Sequence, residues 1–269
     1  IDICAYAVMS NHIHIVLCVN KSAALSWSLD TVLRQWHKIH RGTLLTQRYL
    51  KGEVLSDIEI KAVKETADIY RKRLFDISWF MRDLNEHIAR KANEEDECTG
   101  RFWEGRFRSQ ALLTEKALLS CMAYVDLNPI RANAAKSLND SVYTSIYTRL
   151  FCPSKNKKTQ GLIPFKGEKR PKNKKYLNLT LKQYCFLLSD SIAALTNSLP
   201  KNSTTSSEVQ NAERAIIDTT SPEWLQTISS FENLFSFAVG NTASMLAFKK
   251  RTNRKRMACI KSAAVCLDV

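Results

Sequence analysis

Residues 3–9 and 12–19 are rich in apolar side chains and flank one polar pair, Ser10-Asn11. Two short β-prone runs around a two-residue polar break predict an antiparallel hairpin whose turn delivers His12 at the head of the second strand. The apolar period then changes. Over 22–39, Leu25, Leu29, Val32, Leu33 and Trp36 recur at the spacing of one helix face, and Gly42 breaks the run. Ser56-Asp57-Ile58-Glu59 has the form of a capping box. From there Val63, Ala67, Tyr70, Leu74, Ile77, Met81, Leu84 and Ile88 continue the helical period, as one helix or as two with a break at 75–79.

The polar, acidic stretch 93–100 suits a surface connection. Residues 101–112 (RFWEGRFRSQAL) read as a strand with Glu104, Arg106 and Arg108 on one face and Trp103, Gly105 and Phe107 on the other. Thr114 is placed to N-cap a helix through Leu118, Leu119, Met122 and Val125, which ends near Asn128 because Pro129 disfavours helical geometry in the residue before it. Past residue 150 the character shifts. Residues 153–175 carry Lys155, Lys157, Lys158, Lys166, Lys169, Arg170, Lys172, Lys174 and Lys175 with three prolines, which predicts a basic linker over 151–176. Helical patterns follow over 177–199 and 222–239, separated by a polar Ser/Thr/Asn stretch at 202–207.

A chain of 269 residues with 45% hydrophobic content can bury one substantial core plus an appendage. The net charge of +14 adds a partner class: a polyanion, with nucleic acid first and an anionic membrane surface second. A second basic cluster at 249–256 fits contact with phosphates, and also fits a solubilising surface. No apolar run approaches the roughly 20 residues that span a bilayer. Eight cysteines without a C-x-x-C pair argue against a zinc ribbon and for reduced thiols. The expectation is a soluble intracellular protein without disulfides.

His12 and His14 flank one residue on the second strand, so both imidazoles project from the same face and suit one divalent ion. An H-x-H alone also fits two polar residues on a solvated strand face. His37 and His40 lie three apart on a helix, which fits a metal pair or an exposed face. Downstream, Tyr124 and Asn128 are four apart and share a helix face, with Ser120 one turn earlier.

The runs AYAVMSNHIHIV, RFWEGRFRSQALL and AYVDLNPIRA, in that order, closely resemble the single-tyrosine HUH transposases, specifically their REP-associated branch in bacteria. The resemblance covers roughly residues 1–150, and Trp224, Phe231-Glu232 and the stretch 235–240 look like the C-terminal extension of one subgroup. It implies an α+β fold: an antiparallel ferredoxin-like sheet with packed helices over 1–150, the basic linker, and a mainly helical extension over 177–269. It also implies a site. Tyr124 is the expected nucleophile, His12, His14 and Asn128 the ligands of Mg²⁺ or Mn²⁺, and Arg106, Arg108 and Arg131 the DNA contacts. Arg106 or Arg108 could instead pair with Glu104. The implied reaction is cleavage and rejoining of single-stranded hairpin DNA through a 5′-phosphotyrosine, by a nucleoid-associated cytoplasmic protein acting as a monomer rather than a dimer.

Relatives of this kind carry a further N-terminal segment that supplies the first strand, whereas this sequence opens at Ile1 inside a strand-like run. An unpaired sheet edge is therefore expected. Two other readings follow: a DNA-binding remnant without catalysis, and a metal phosphodiesterase that uses H-x-H without a covalent intermediate.

Overall fold

Small side chains dominate the first strand, β1 (Asp2–Val8), where Cys4, Ala5 and Ala7 are buried. It pairs antiparallel with β2 (Ile13–Cys18), and the N–H of Met9 donates to the carbonyl of His12 at 2.9 Å to close the turn at Ser10-Asn11, as the pattern predicts. A computed structural model describes residues 1–152, 161–168, 175–196, 218–219 and 221–268. The chain is α+β, and its sheets are small. It divides into two compact units, Ile1–Asp2 with Cys18–Arg108, and Ile3–Leu17 with Ser109–Val269.

The first unit is helical: α1 (Lys21–Ser26), α2 (Leu29–His37), α3 (Leu44–Leu50), α4 (Asp57–Leu74) and α5 (Ile77–Glu95). The helix expected over 22–39 is two, because Ser28 leaves helical geometry and caps α2 through the N–H of Thr31. Leu25 is accordingly exposed. The Ser56–Glu59 capping box is present, and the long helical stretch breaks at Phe75-Asp76, where Asp76 caps α5. Val32, Leu33, Trp36, Val63, Ala67 and Tyr70 form the core of this unit. Residues 101–110 are not a strand, which corrects the expectation for 101–112. The Arg101 guanidinium instead donates to the carbonyls of Trp103 and Glu104, folding the segment back on itself.

In the second unit only the end of that run is extended. β3 (Ala111–Leu112) lies before α6 (Glu115–Asp126), α7 (Asn128–Arg131), α8 (Ser145–Phe151), α9 (Leu181–Leu195), α10 (Pro222–Leu234), β4 (Ala238–Val239), α11 (Thr242–Arg251) and α12 (Ile260–Leu267). The pattern over 222–239 is thus a helix and then a strand. β4 pairs parallel with β3, Ala111 opposite Ala238 and Leu112 opposite Val239. At Gly240 a Cβ would fall 2.4 Å from Ser244 Oγ and 2.9 Å from Leu113 Cβ, so the backbone leaves this pair through a space without room for a side chain.

The expected three-part division also differs from the one found. α10 packs along α6 and β4 along β3, so the C-terminal segment shares one unit with the first hairpin. Within the expected linker, Leu162, Ile163 and Phe165 are buried, and the N–H of Ile163 donates to the carbonyl of Ile3 at 2.8 Å. Apolar residues there join the core despite the surrounding lysines. Lys155, Lys157, Lys158, Lys169, Arg170, Lys172, Lys174 and residues 202–207 lie outside the described residues. The second edge of β1 is engaged at both ends, by Gly161 and Ile163 at Ile3 and by the Tyr143 carbonyl, which accepts from the N–H of Val8 at 3.0 Å.

Candidate functional site

α6 begins at Thr114, whose hydroxyl accepts from the N–H of Ala117, with Glu115 in the first turn, where its charge complements the helix dipole. It closes at Leu127, which keeps right-handed helical angles, so one further turn, α7, follows directly. Pro129 is tolerated there because first-turn N–H groups have no intrahelical acceptor. The near-continuous winding keeps Tyr124, Asn128 and Arg131 on one side, four and three residues apart. Ser120 departs from this group: it is buried and its hydroxyl donates back to the Lys116 carbonyl at 2.8 Å.

The hairpin brings its two histidines to that side. The His12 and His14 rings lie 4.8 Å apart between centroids, and the His14 ring lies 5.8 Å from that of Tyr124. Asn128 Nδ2 is 3.4 Å from His12 Nε2. Four of the residues singled out from the sequence, His12, His14, Tyr124 and Asn128, therefore converge. Tyr124 is 8% exposed, with its ring 5.6 Å from that of Phe231 on α10.

The protonation pattern follows from the partners of each Nδ1. That of His12 lies 2.6 Å from Asn11 Oδ1, and that of His14 lies 3.2 Å from Glu232 Oε1 on α10. An oxygen acceptor at Nδ1 places the imidazole proton there and leaves Nε2 with its lone pair, the state in which histidine ligates a metal. Burial pushes the pKa of His14 down, and Glu232 opposes this while His12 and Arg131 add to it. His14 is consequently neutral at pH 7, and its lone pair is available.

Arg131 holds the site together from the inside. Its Cζ lies 3.8 Å from the Tyr124 ring centroid, and it donates to the carbonyls of Ser229 (2.8 Å) and Tyr124 (3.4 Å) and to Asn128 Oδ1 (3.0 Å). The Ser229 carbonyl is available because α10 loses helical geometry at Ser230. Of the Arg131 nitrogens, Nε alone is buried without a hydrogen-bond partner among the described residues. Most of the donors of Arg131, expected from the sequence as a DNA contact, face protein oxygens. Arg131 also turns the oxygen of Asn128 toward the guanidinium and the NH₂ group toward His12. Arg106 and Arg108 are exposed, belong to the other unit, and make no ion pair with Glu104 among the described residues.

Sequence reasoning missed two supports. Glu232 sits in the Phe231-Glu232 pair with nothing local to mark it as a partner of His14. Asp126 carried a readable signal, a charge in the apolar run around Tyr124. It is fully buried and accepts from Ser145 Oγ (2.7 Å), the N–H of Ile146 (3.0 Å) and Tyr184 Oη (2.7 Å), tying α6 to α8 and α9. Burial pushes its carboxyl up to about 6 against these hydrogen bonds.

Among the described residues, no group of three or more His, Cys, Asp and Glu stands at metal-ligating spacing. The set gathered here is two imidazoles and an amide. His37 and His40 bond elsewhere, to Thr46 and Asp83, each at 3.0 Å. Comparison of the chain with protein-family models, with curated proteins and with solved structures gave no match. Among the described residues no helix is long and apolar enough to cross a membrane.

Proposed function

We propose that this protein is a tyrosine-nucleophile DNA strand-transferase of the HUH type, acting on single-stranded hairpin DNA with a divalent ion. The observation that carries the reading is the convergence of His12, His14, Asn128 and Tyr124, with the His14 ring 5.8 Å from that of Tyr124 and its Nδ1 held by Glu232, which leaves its Nε2 lone pair on the side of the site. His12 and His14 would supply two nitrogens, and Asn128 would supply its amide oxygen once the amide turns that oxygen from Arg131 and its NH₂ group from His12. Two nitrogens make Mn²⁺ as suitable as Mg²⁺. The bound ion would polarise a non-bridging phosphate oxygen and offset the developing charge.

The chain's own residues do the rest. Tyr124 Oη attacks phosphorus and the P–O3′ bond breaks. The phosphoryl group remains on tyrosine as a 5′-phosphotyrosine, and the phenolic proton is balanced by the one gained at the 3′-hydroxyl. The ester keeps the bond energy, so rejoining needs no nucleotide cofactor. Arg131 sets the ring direction of Tyr124. A β1–β2 hairpin whose His14 ring lies 5.8 Å from that of Tyr124 on α6 suits a ferredoxin-like scaffold, and the net charge of +14 suits DNA. A bacterial, nucleoid-associated monomer completes the proposal.

End-labelled single-stranded hairpin DNA incubated with the protein and Mn²⁺ should yield a covalent adduct that survives denaturation. Tyr124→Phe should abolish the adduct and retain DNA binding, and His12→Ala should lose metal and cleavage. An adduct persisting in Tyr124→Phe refutes the nucleophile. Cleavage without any adduct, undiminished in Tyr124→Phe, supports a phosphodiesterase, and binding without cleavage supports a remnant.

A further inference from the structure

In the helical unit, two arginines lie over one tryptophan. The Cζ of Arg73 is 4.0 Å, and that of Arg82 4.9 Å, from the Trp79 ring centroid. The sequence supplies the placement twice over. Tyr70 and Arg73 on α4, and Trp79 and Arg82 on α5, share the spacing i, i+3, which puts each aromatic beside an arginine on one helix face. Trp36 of α2 backs them, stacked on Tyr70 at 4.2 Å and 8° and meeting Trp79 edge-on at 6.1 Å. Together these side chains line a cavity of about 430 Å³, within the range of roughly 300–1,000 Å³ usual for small-ligand sites.

Charge accounting makes the cavity specific. Its acids are matched, Asp83 by His40 at 3.0 Å and Glu86 by Arg90 at 2.6 Å. Arg73 and Arg82 have neither a carboxylate nor a side-chain hydrogen-bond acceptor among the described residues. A guanidinium lying over a ring keeps its N–H groups in its own plane, free at the edge for a bidentate oxyanion. Trp36 is buried, with Tyr70 and His40 each 4.2 Å from its ring, so the surfaces left for a flat base are the guanidinium planes over Trp79, and their edges suit the phosphate joined to it.

We infer that this cavity binds an unpaired nucleotide of single-stranded DNA, with its phosphate at the edges of Arg73 and Arg82 and its base on the guanidinium planes that lie over Trp79. The choice of ligand rests on the DNA reading above, while the site is separate from the His–Tyr site and belongs to the other unit.

The test is fluorescence anisotropy of labelled 20-nucleotide single-stranded DNA and RNA, and of blunt duplex, with the full chain. Inorganic phosphate and a nucleoside monophosphate serve as competitors. The Arg73→Gln/Arg82→Gln double variant should weaken single-strand binding at least about tenfold and lower the log–log salt slope by about 0.7 for each phosphate that is no longer neutralised. Arg82→Gln, a change at an exposed position, should show about half of that slope change whether or not the double variant folds. Millimolar phosphate should leave the oligonucleotide bound. DNA bound more tightly than RNA, or equally, fits the reading, whereas RNA preferred by tenfold moves the site to RNA and overturns it. Unchanged affinity and slope in Arg82→Gln, preference for duplex, or full displacement by phosphate also overturn it. A protein that forms the Tyr124 adduct but ignores these substitutions refutes this site alone. One that binds through the arginines without an adduct refutes the strand-transfer reading alone.

Discussion

The carboxylate of Glu232 lies 3.2 Å from Nδ1 of His14, so a residue of the C-terminal part of the chain sets the tautomer of one in the first hairpin. Carboxylates in this position typically raise the basicity of the imidazole and fix its direction, and losing them costs about 10–100-fold in metal affinity. Glu232→Ala should weaken Mn²⁺ binding by about that factor in a calorimetric titration, and Glu232→Gln, which retains an oxygen acceptor, should weaken it less. Equal affinity in the wild type and Glu232→Ala would remove the carboxylate from the site.

Arg131 joins Tyr124, Asn128 and Ser229 through one planar group. Replacing it with methionine leaves the Ser229 carbonyl and Asn128 Oδ1 without their donor, which should cost about 2–3 kcal/mol in urea unfolding. Arg131→Lys should not restore that stability, because an ammonium cannot lie flat over the Tyr124 ring while reaching both sides. Full recovery in the lysine variant would show that charge alone is required.

Asp126 predicts a pH dependence of stability. Its carboxyl titrates at about 6 in the folded protein against 3.8 for the free side chain, so between these values the folded state holds the proton more tightly than the unfolded state. Stability from this group is therefore present below about pH 4 and lost as pH rises through 6, by roughly 3 kcal/mol at most. The difference in unfolding free energy between wild type and Asp126→Asn, followed from pH 4 to pH 7, should shift by that order in favour of the variant. A difference independent of pH would contradict it.

Gly42, in the turn between α2 and α3, has φ +71°, and a Cβ there would meet His37 Cε1 at 2.4 Å and Nε2 at 2.5 Å. Gly42→Ala should lose about 1–2 kcal/mol from the left-handed backbone alone, and more from displacing the imidazole that bonds Thr46. Chemical denaturation measures the loss, and an unchanged midpoint would mean that the turn relaxes freely.

Local chemistry was legible because it needs only neighbouring residues. The Ser10-Asn11 turn, the Ser56–Glu59 box, the Thr114 cap and the break after Leu74 each satisfy backbone groups a few positions away, so the sequence alone determined them. The i, i+2 spacing of His12 and His14 and the i, i+4 spacing of Tyr124 and Asn128 likewise place each pair on one face before any tertiary contact forms. The strand expected over 101–112 failed for the complementary reason: alternation offers a face, but Arg101 finds its acceptors within the segment and only Ala111–Leu112 finds a partner strand. Tertiary structure alone decided that Leu162, Ile163 and Phe165 leave a lysine-rich stretch for the core, that Arg131 turns inward, and that Glu232 meets His14. Those outcomes depend on which surfaces exclude water together, and no local pattern encodes that.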